Sequence, residues 1–158
     1  MATGTMKWFR QGLMDLGNKI HDLDGDDWRM GIVTTATVPA IDTPAPHWAG
    51  TGTTNFFSNQ VGTGGTSYTG PVVLTTETWQ LMTGGAEMLA AKVSLAQDGS
   101  GFTTGAYGII YNNTDANKRA IGWVEIDSGG AASLVAGPVE IRWNGVDGTG
   151  RMFSLVQS

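Results

Sequence analysis

The alternation of apolar and polar positions is most legible between residues 103 and 127, TTGAYGIIYNNTDANKRAIGWVEID. Two apolar, strand-like runs, 106–111 and 120–126, flank a polar segment, 112–119, of turn-forming and charged residues. That pattern predicts a β-hairpin with a long loop. The first run is apolar at nearly every position, as expected of a strand covered on both faces. It is therefore expected at the centre of an all-β domain, with residues 112–119 as an exposed, variable tip.

Residues 5–20 carry the one helical period. Met6, Phe9, Leu13, Leu16 and Ile20 follow i, i+3, i+4 spacing and share one face, with Trp8 off the stripe. Gly17-Asn18 offers a left-handed C-terminal cap. Such a helix lies across the β core or serves as a docking arm on a neighbouring subunit. The aspartates of Asp22–Asp27 invite a calcium-loop reading. An EF-type loop starting at Asp22 needs glycine at 27 and glutamate at 33, where Asp27 and Val33 stand. A polar turn feeding a strand over 28–35 fits better, with Trp28, Met30 and Ile32 on one face and Arg29, Gly31 and Val33 on the other.

Residues 35–52 contain Pro39, Pro44 and Pro46 and read as an extended connection that is not a central strand. His47-Trp48 lies inside it, either packed back over the sheet or exposed as a contact. Asn55-Phe56-Phe57 precedes a glycine-rich turn, Gly62-Thr63-Gly64-Gly65, which lacks the residues of a phosphate loop. Strands are expected at 71–76 and 79–82, the second closed by Gly84-Gly85. Over 87–96, Met88-Leu89-Ala90-Ala91 favours helix by propensity. The alternation of Val93 and Leu95 with Lys92 and Ser94 favours strand, and the all-β context decides for it. After a small-residue loop at 129–136, Val139, Ile141 and Trp143 alternate with Glu140, Arg142 and Asn144, a half-exposed strand. A turn at 145–150 leads to a last strand at 151–156. The predicted fold is one β domain, 1–158, with a helix or arm at 5–20 and a β core at 27–156. An antiparallel β-sandwich or jelly-roll-like arrangement with one short N-terminal amphipathic helix suits this spacing.

Composition narrows the function more than the fold. A chain of 158 residues is long enough to bury roughly 70% of its unfolded surface without staples. Without cysteine it has neither disulfides nor thiolate metal sites. Net charge is −5, and of the nine basic residues only Lys118 and Arg119 are adjacent, so a phosphate-tracking groove and direct nucleic-acid binding are not expected. Charged residues make up 15% of the chain, against roughly 25% in an average globular protein, which points to surface covered by a partner. No secretory signal and no membrane span are expected, since there is no basic start with an apolar core and no run of about 18 apolar residues.

The inventory for catalysis is poor. His21 and His47 lack metal-ligand spacing, and Ser67 does not sit in a GxSxG elbow. Glu125 and Asp127 share a predicted strand face but read as solvated acids closing a hairpin. Asn112-Asn113-Thr114 is a glycosylation sequon in a turn where asparagine is expected anyway. No catalytic, cofactor-binding or metal-binding residue is predicted, and an enzyme is the least favoured class.

Ala106-Tyr107-Gly108-Ile109-Ile110-Tyr111 followed by Ile121-Gly122-Trp123-Val124 resembles a group of small structural proteins of tailed-bacteriophage virions. There an AYxxIY strand, a variable loop and an IGWV or IGYV strand recur. The N-terminal helix, the Asp22–Asp27 entry into a strand, Tyr68-Thr69-Gly70 and the closing Val139-Glu140-Ile141-Arg142-Trp143-Asn144 follow in the same order, over roughly residues 6–156. Trp28-Arg29-Met30, the longer His47-Trp48 loop and the alanine-rich 87–96 segment depart from the pattern. The resemblance implies a non-enzymatic virion protein on the outer surface of the particle, present in the host cytoplasm during assembly. It implies a capsid decoration or cement role, as a trimer or other symmetric cluster, with the major capsid protein or other virion proteins as partners. Phe9, Trp48, Phe56 and Phe57 are the candidate subunit contacts, because aromatics contribute most at interfaces. The alternative is a tail, fibre or adhesin module contacting tail proteins or a host glycan, with Trp48 as the stacking residue.

Overall fold

A computed structural model describes residues 2–156. In chain order the strands are β1 (Ala2–Gly4), β2 (Lys7–Trp8), β3 (Trp28–Val33), β4 (Pro46–His47), β5 (Thr54–Asn55), β6 (Val72–Val73), β7 (Thr78–Met82), β8 (Gly85–Ala91), β9 (Val93–Leu95), β10 (Tyr107–Asn112), β11 (Ala120–Glu125), β12 (Val139–Trp143) and β13 (Thr149–Val156). One helix, α1 (Arg10–Gly17), follows β2, and a 3-10 turn spans Phe56–Asn59. The chain is all-β with one short helix, as expected. Strand pairing is antiparallel except for β1 with β12 and β4 with β5.

A five-stranded sheet in the order β2-β11-β10-β3-β6 forms the middle, with three-stranded sheets β1-β12-β9 and β13-β8-β7 beside it. All of β10 is buried, because both of its faces are covered. Register explains how. Ile110 lies opposite Met30, and Gly108 lies between Ile32 and Val124. These side chains meet Met88, Val93, Ile141, Trp143 and Phe153 from the three-stranded sheets in one apolar cluster. On the other face Ile109 lies opposite Trp123, and Tyr107 opposite Val33. They join Phe9, Trp48, Phe56 and Tyr111 in a second cluster.

The predicted 5–20 helix is shorter than its period implies. Lys7 and Trp8 instead pair with Trp123 and Gly122 of β11. The inward residues of α1 are Gly12 and Asp15, whereas Leu13 and Met14 are 43% and 58% exposed. The cause is close approach. A Cβ placed on Gly12 would lie 2.4 Å from the carbonyl oxygen of Ile121, so the helix meets β11 backbone to backbone and its larger side chains turn outward. The cap also differs from expectation: Asn18 has φ −83°, and Lys19, at φ 59°, is the left-handed residue.

Two further boundaries move. The 71–76 run contributes only β6, which pairs with Arg29 and Met30 at the sheet edge. The 87–96 run is strand, as the alternation predicts, but breaks at Lys92, whose ammonium lies 2.6 Å from Asp147 and 3.4 Å from Glu140.

Candidate functional site

At one end of the central sheet four segments converge: α1, residues 20–27, residues 45–51 and the hairpin loop 112–119. The loop is not the free tip that its polarity predicts. Asn112 ends β10 opposite Trp28, which brings the loop over the turn preceding β3. Its side-chain oxygen accepts from the amides of Thr114 and Asp115, at 2.9 and 3.0 Å. Its Nδ2 therefore faces the carboxylate of Asp26 at 2.5 Å and Nδ1 of His21 at 3.3 Å. The amide of Asn113 donates to the carbonyl of Asp27, whose own amide donates to Thr114 Oγ1. A loop tied at so many points is held by the core it covers.

His21 is 4% exposed, and burial lowers its pKa against the opposing pull of Asp15, Asp115 and Asp26. Since Nδ1 faces an amide donor, the neutral ring carries its proton on Nε2, which has no hydrogen-bond partner and lies in a ring that meets Trp28 edge-on at 5.3 Å.

Beside this cluster is a cavity of about 400 Å³. Gln11 and Asp15, one turn apart on α1, and the C-cap residue Asn18 line one side of it. Ala45, Pro46 and Thr51 form the facing wall, and Asn117 and Arg119 of the hairpin loop close a third side. Asp15 is 3% exposed. Its Oδ1 accepts from Gln11 Nε2 at 2.9 Å and faces Arg119 Nη1 at 3.8 Å, while Oδ2 is buried without any partner. Arg119 is also held by Asp115, at 3.7 Å. Main-chain bonds make the walls firm: the amide of Trp48 donates to the carbonyl of Lys118 at 2.9 Å, and that of Ile20 to the carbonyl of Asp15 at 2.9 Å.

Backbone conformation singles out the same place. Lys19, Ala45 and Lys118 have positive φ, between 38° and 59°, and each lines the cavity or adjoins a residue that does. The left-handed region costs a non-glycine residue about 1–2 kcal/mol. Such conformations persist only where the surroundings over-determine them, and they collect at binding and catalytic sites.

Three of the four anticipated contact aromatics are interior, which corrects that expectation. Phe9 and Phe56 are fully buried, and Trp48 is 4% exposed. Phe9 packs between Trp123 and Phe56, at 4.7 and 5.7 Å between ring centroids. Trp48 stacks on Tyr111 at 5.4 Å with the planes 6° apart, and burial pushes the Tyr111 hydroxyl up to about 12. The Trp48 indole also fills the slot left by Gly31, where a Cβ would come within 2.1 Å of the ring. A stacked, covered indole is not a platform for sugar, so Trp48 does not serve the glycan alternative. Only Phe57, 48% exposed, remains at the surface.

The other candidates disperse. Glu125 pairs with Lys7 at 2.5 Å, and Asp127 accepts from the amide of Gly129 at 2.9 Å, so the two acids do not converge. His47 is buried with Nδ1 3.2 Å from the carbonyl oxygen of Ala45. The glycine-rich turn is held by Asp98, whose carboxyl is lowered to about 2 by the backbone amides of Ser67, Ser100 and Thr66. Among the described residues no group of three or more His, Asp or Glu side chains is placed to hold a metal ion. The sequence reading did not find Asp15 and Arg119. The one available signal was a carboxylate four residues after Gln11, off the apolar stripe of the helix.

A second surface feature lies on the β13-β8-β7 sheet. Phe153, Met88 and Trp79 pair across it and point into the core, where Trp79 is half-buried. The next row on the same face is Leu155, Ala86 and Leu81. There Leu155 is 40% and Leu81 89% exposed, so the apolar face runs on beyond the part that the core covers. Searches against family models, curated proteins and solved structures find no match to this chain.

Proposed function

We propose that this chain is a non-enzymatic structural component of a tailed-bacteriophage particle, a decoration or cement protein that stabilises the shell by burying apolar surface against its neighbours. The observation that carries the reading is the uncovered Leu81–Ala86–Leu155 row, an apolar face aligned by strand register and left open at the end of a hairpin. Contiguous exposed apolar surface marks interaction sites in soluble domains. The occupants in this reading are the major capsid protein and further copies of the chain in a trimer or other symmetric cluster. The AYGIIY and IGWV strands support it through their resemblance to phage structural proteins, and the low fraction of charged residues agrees with it. An acidic balance suits the outer surface of a particle, with the host cytoplasm as the place of assembly. In the same reading the five-stranded sheet and the two smaller sheets make a sandwich of jelly-roll type.

Imaging of purified particles is the test. The expected result is many copies on the outer shell, with the Leu81 face turned toward a neighbouring subunit. Particles carrying Leu81→Asp and Leu155→Asp are expected to lose the protein on dilution. A few copies confined to the tail would overturn the decoration role in favour of the second reading, a tail, fibre or adhesin module. The cavity that Gln11, Asp15, Asn117 and Arg119 help to line is the observation that favours that alternative.

A further inference from the structure

We propose that the free edge of β7 pairs with the same edge of a second copy, in an antiparallel two-fold dimer that seats Leu81 of each copy in a cavity of the other. The inference rests on the open Leu81 row that carries the virion reading, and it names the occupant of that row. Among the described residues β7 pairs with β8 alone and ends its sheet. Thr78-Trp79-Gln80-Leu81-Met82 holds no proline and no charge, and its register with β8 is unbroken. Exposed sheet edges are ordinarily blunted by a charge, a proline or a bulge.

The hairpin fixes which groups this edge offers. Only Thr83 and Gly84, the latter at φ 79°, separate β7 from β8, so Met82 and Gly85 form the closing, doubly hydrogen-bonded pair. Bonding then alternates. Thr78, Gln80 and Met82 spend their backbone groups on β8, and Trp79 and Leu81 turn theirs to the free edge. A second β7 laid antiparallel satisfies those groups, with Trp79 of each copy against Leu81 of the other and Gln80 on the two-fold axis. This two-fold register overlaps all five residues of the strand.

The apolar face is shaped for it. A cavity of about 480 Å³ opens beside Trp79, with Leu16 and Leu23 as its other apolar lining and Lys19, Asp22 and Asp24 at its polar side. None of its lining residues belongs to β8 or β13, so it opens on the free-edge side of Trp79. In this register Leu81, 89% exposed, comes beside Trp79 of the other copy and enters that space. An unrelated strand would satisfy the backbone, but a second copy brings a leucine to both cavities at once. Charge permits the pairing: Glu77, just before β7, falls opposite Thr83 of the second copy, so no like charges meet along the strands. A five-residue strand and its flanks are smaller than the roughly 20–30 residues a side of a standard complex, so the dimer dissociates on dilution.

The experiment is mild oxidation of single-cysteine variants of the full chain, which has no cysteine of its own. Gln80→Cys, at an exposed position, puts two thiols on the axis at a non-hydrogen-bonded pair, about 4.5 Å between Cα atoms and within disulfide reach. A disulfide dimer is expected. Thr78→Cys puts them about 14 Å apart, four residues along at about 3.4 Å each, and is expected to stay monomeric. In the unaltered chain, sedimentation is expected to show dimer rising with concentration, with the amides of Trp79 and Leu81, and not that of Gln80, gaining protection from hydrogen exchange. Leu81→Asp, at an exposed site, is expected to weaken association by at least about tenfold. Monomer at every concentration, equal cross-linking of the two cysteine variants, undiminished association of Leu81→Asp, or protection that appears only when capsid protein is added would each overturn the pairing. A monomeric chain found on the shell leaves the virion reading standing, and a dimer absent from particles leaves the pairing standing.

Discussion

The two faces of the central sheet are sealed by different kinds of chain. On one face strand meets strand: Met30, Ile32 and Ile110 pack against Met88, Val93 and Ile141, all from regular elements with period-two alternation. On the other the seal is made by Phe9 at the start of α1, Trp48 in a proline-rich connection and Phe56 in a 3-10 turn. Both faces are equally dry, yet only the first announces itself in the sequence. Irregular chain can close a core as tightly as a strand when large rings settle over small residues, as Trp48 does over Gly31.

Truncating a ring in the irregular seal tests this most severely. Phe56→Ala is expected to cost about 3–5 kcal/mol in urea unfolding, as for a ring lost from a regular core. A loss under 1 kcal/mol would show that the loop-built face is loosely packed. Next in size is the glycine slot. Gly31→Ala places a methyl against a stacked indole and is expected to cost about 1–3 kcal/mol and to expose Trp48. Gly108→Ala, on the strand-built face, meets mainly the sulfur of Met30, a flexible side chain that yields, and is expected to cost less. Equal losses would erase the distinction between the two faces.

A smaller effect separates them by pH. His21 lies at the rim of the strand-built core with its pKa lowered by burial. Above the ordinary value of 6.5 both folded and unfolded chains hold it neutral, so it adds no pH dependence there. Below 6.5 the unfolded chain takes up the proton first, and stability is expected to fall, by at most about 1.4 kcal/mol per pH unit, until the folded histidine also titrates. Unfolding midpoints from pH 7.5 down to 5.5 check this, and His21→Gln is expected to flatten the profile. The smallest expected change is at Leu81, outside either core. Leu81→Ser is expected to shift stability by less than about 0.5 kcal/mol, so any loss of assembly it causes reports on an interface.

The elements visible in advance were those whose signal is local. The 106–111 and 120–126 runs, the alternation of Val139, Ile141 and Trp143, and the strand character of 87–96 all follow from side chains pointing alternately to the two sides of a strand. The α1 stripe misled because Gly12 meets β11 by its backbone, so burial followed closeness of approach instead of hydrophobicity. The contact aromatics misled because exposure in a loop depends on where the loop returns.

The sequence alone determined that this protein is a β domain organised around one doubly covered hairpin, because alternation and turn chemistry act over a few residues. Only the tertiary structure decided that Phe9, Trp48 and Phe56 lie inside and that the hairpin loop is anchored through Asn112. It also decided that Asp15 and Arg119 meet across a cavity. Those placements depend on residues far apart in the chain arriving at one end of the sheet, where register and close backbone approach, invisible in a linear pattern, set what is buried and what is left unpaired.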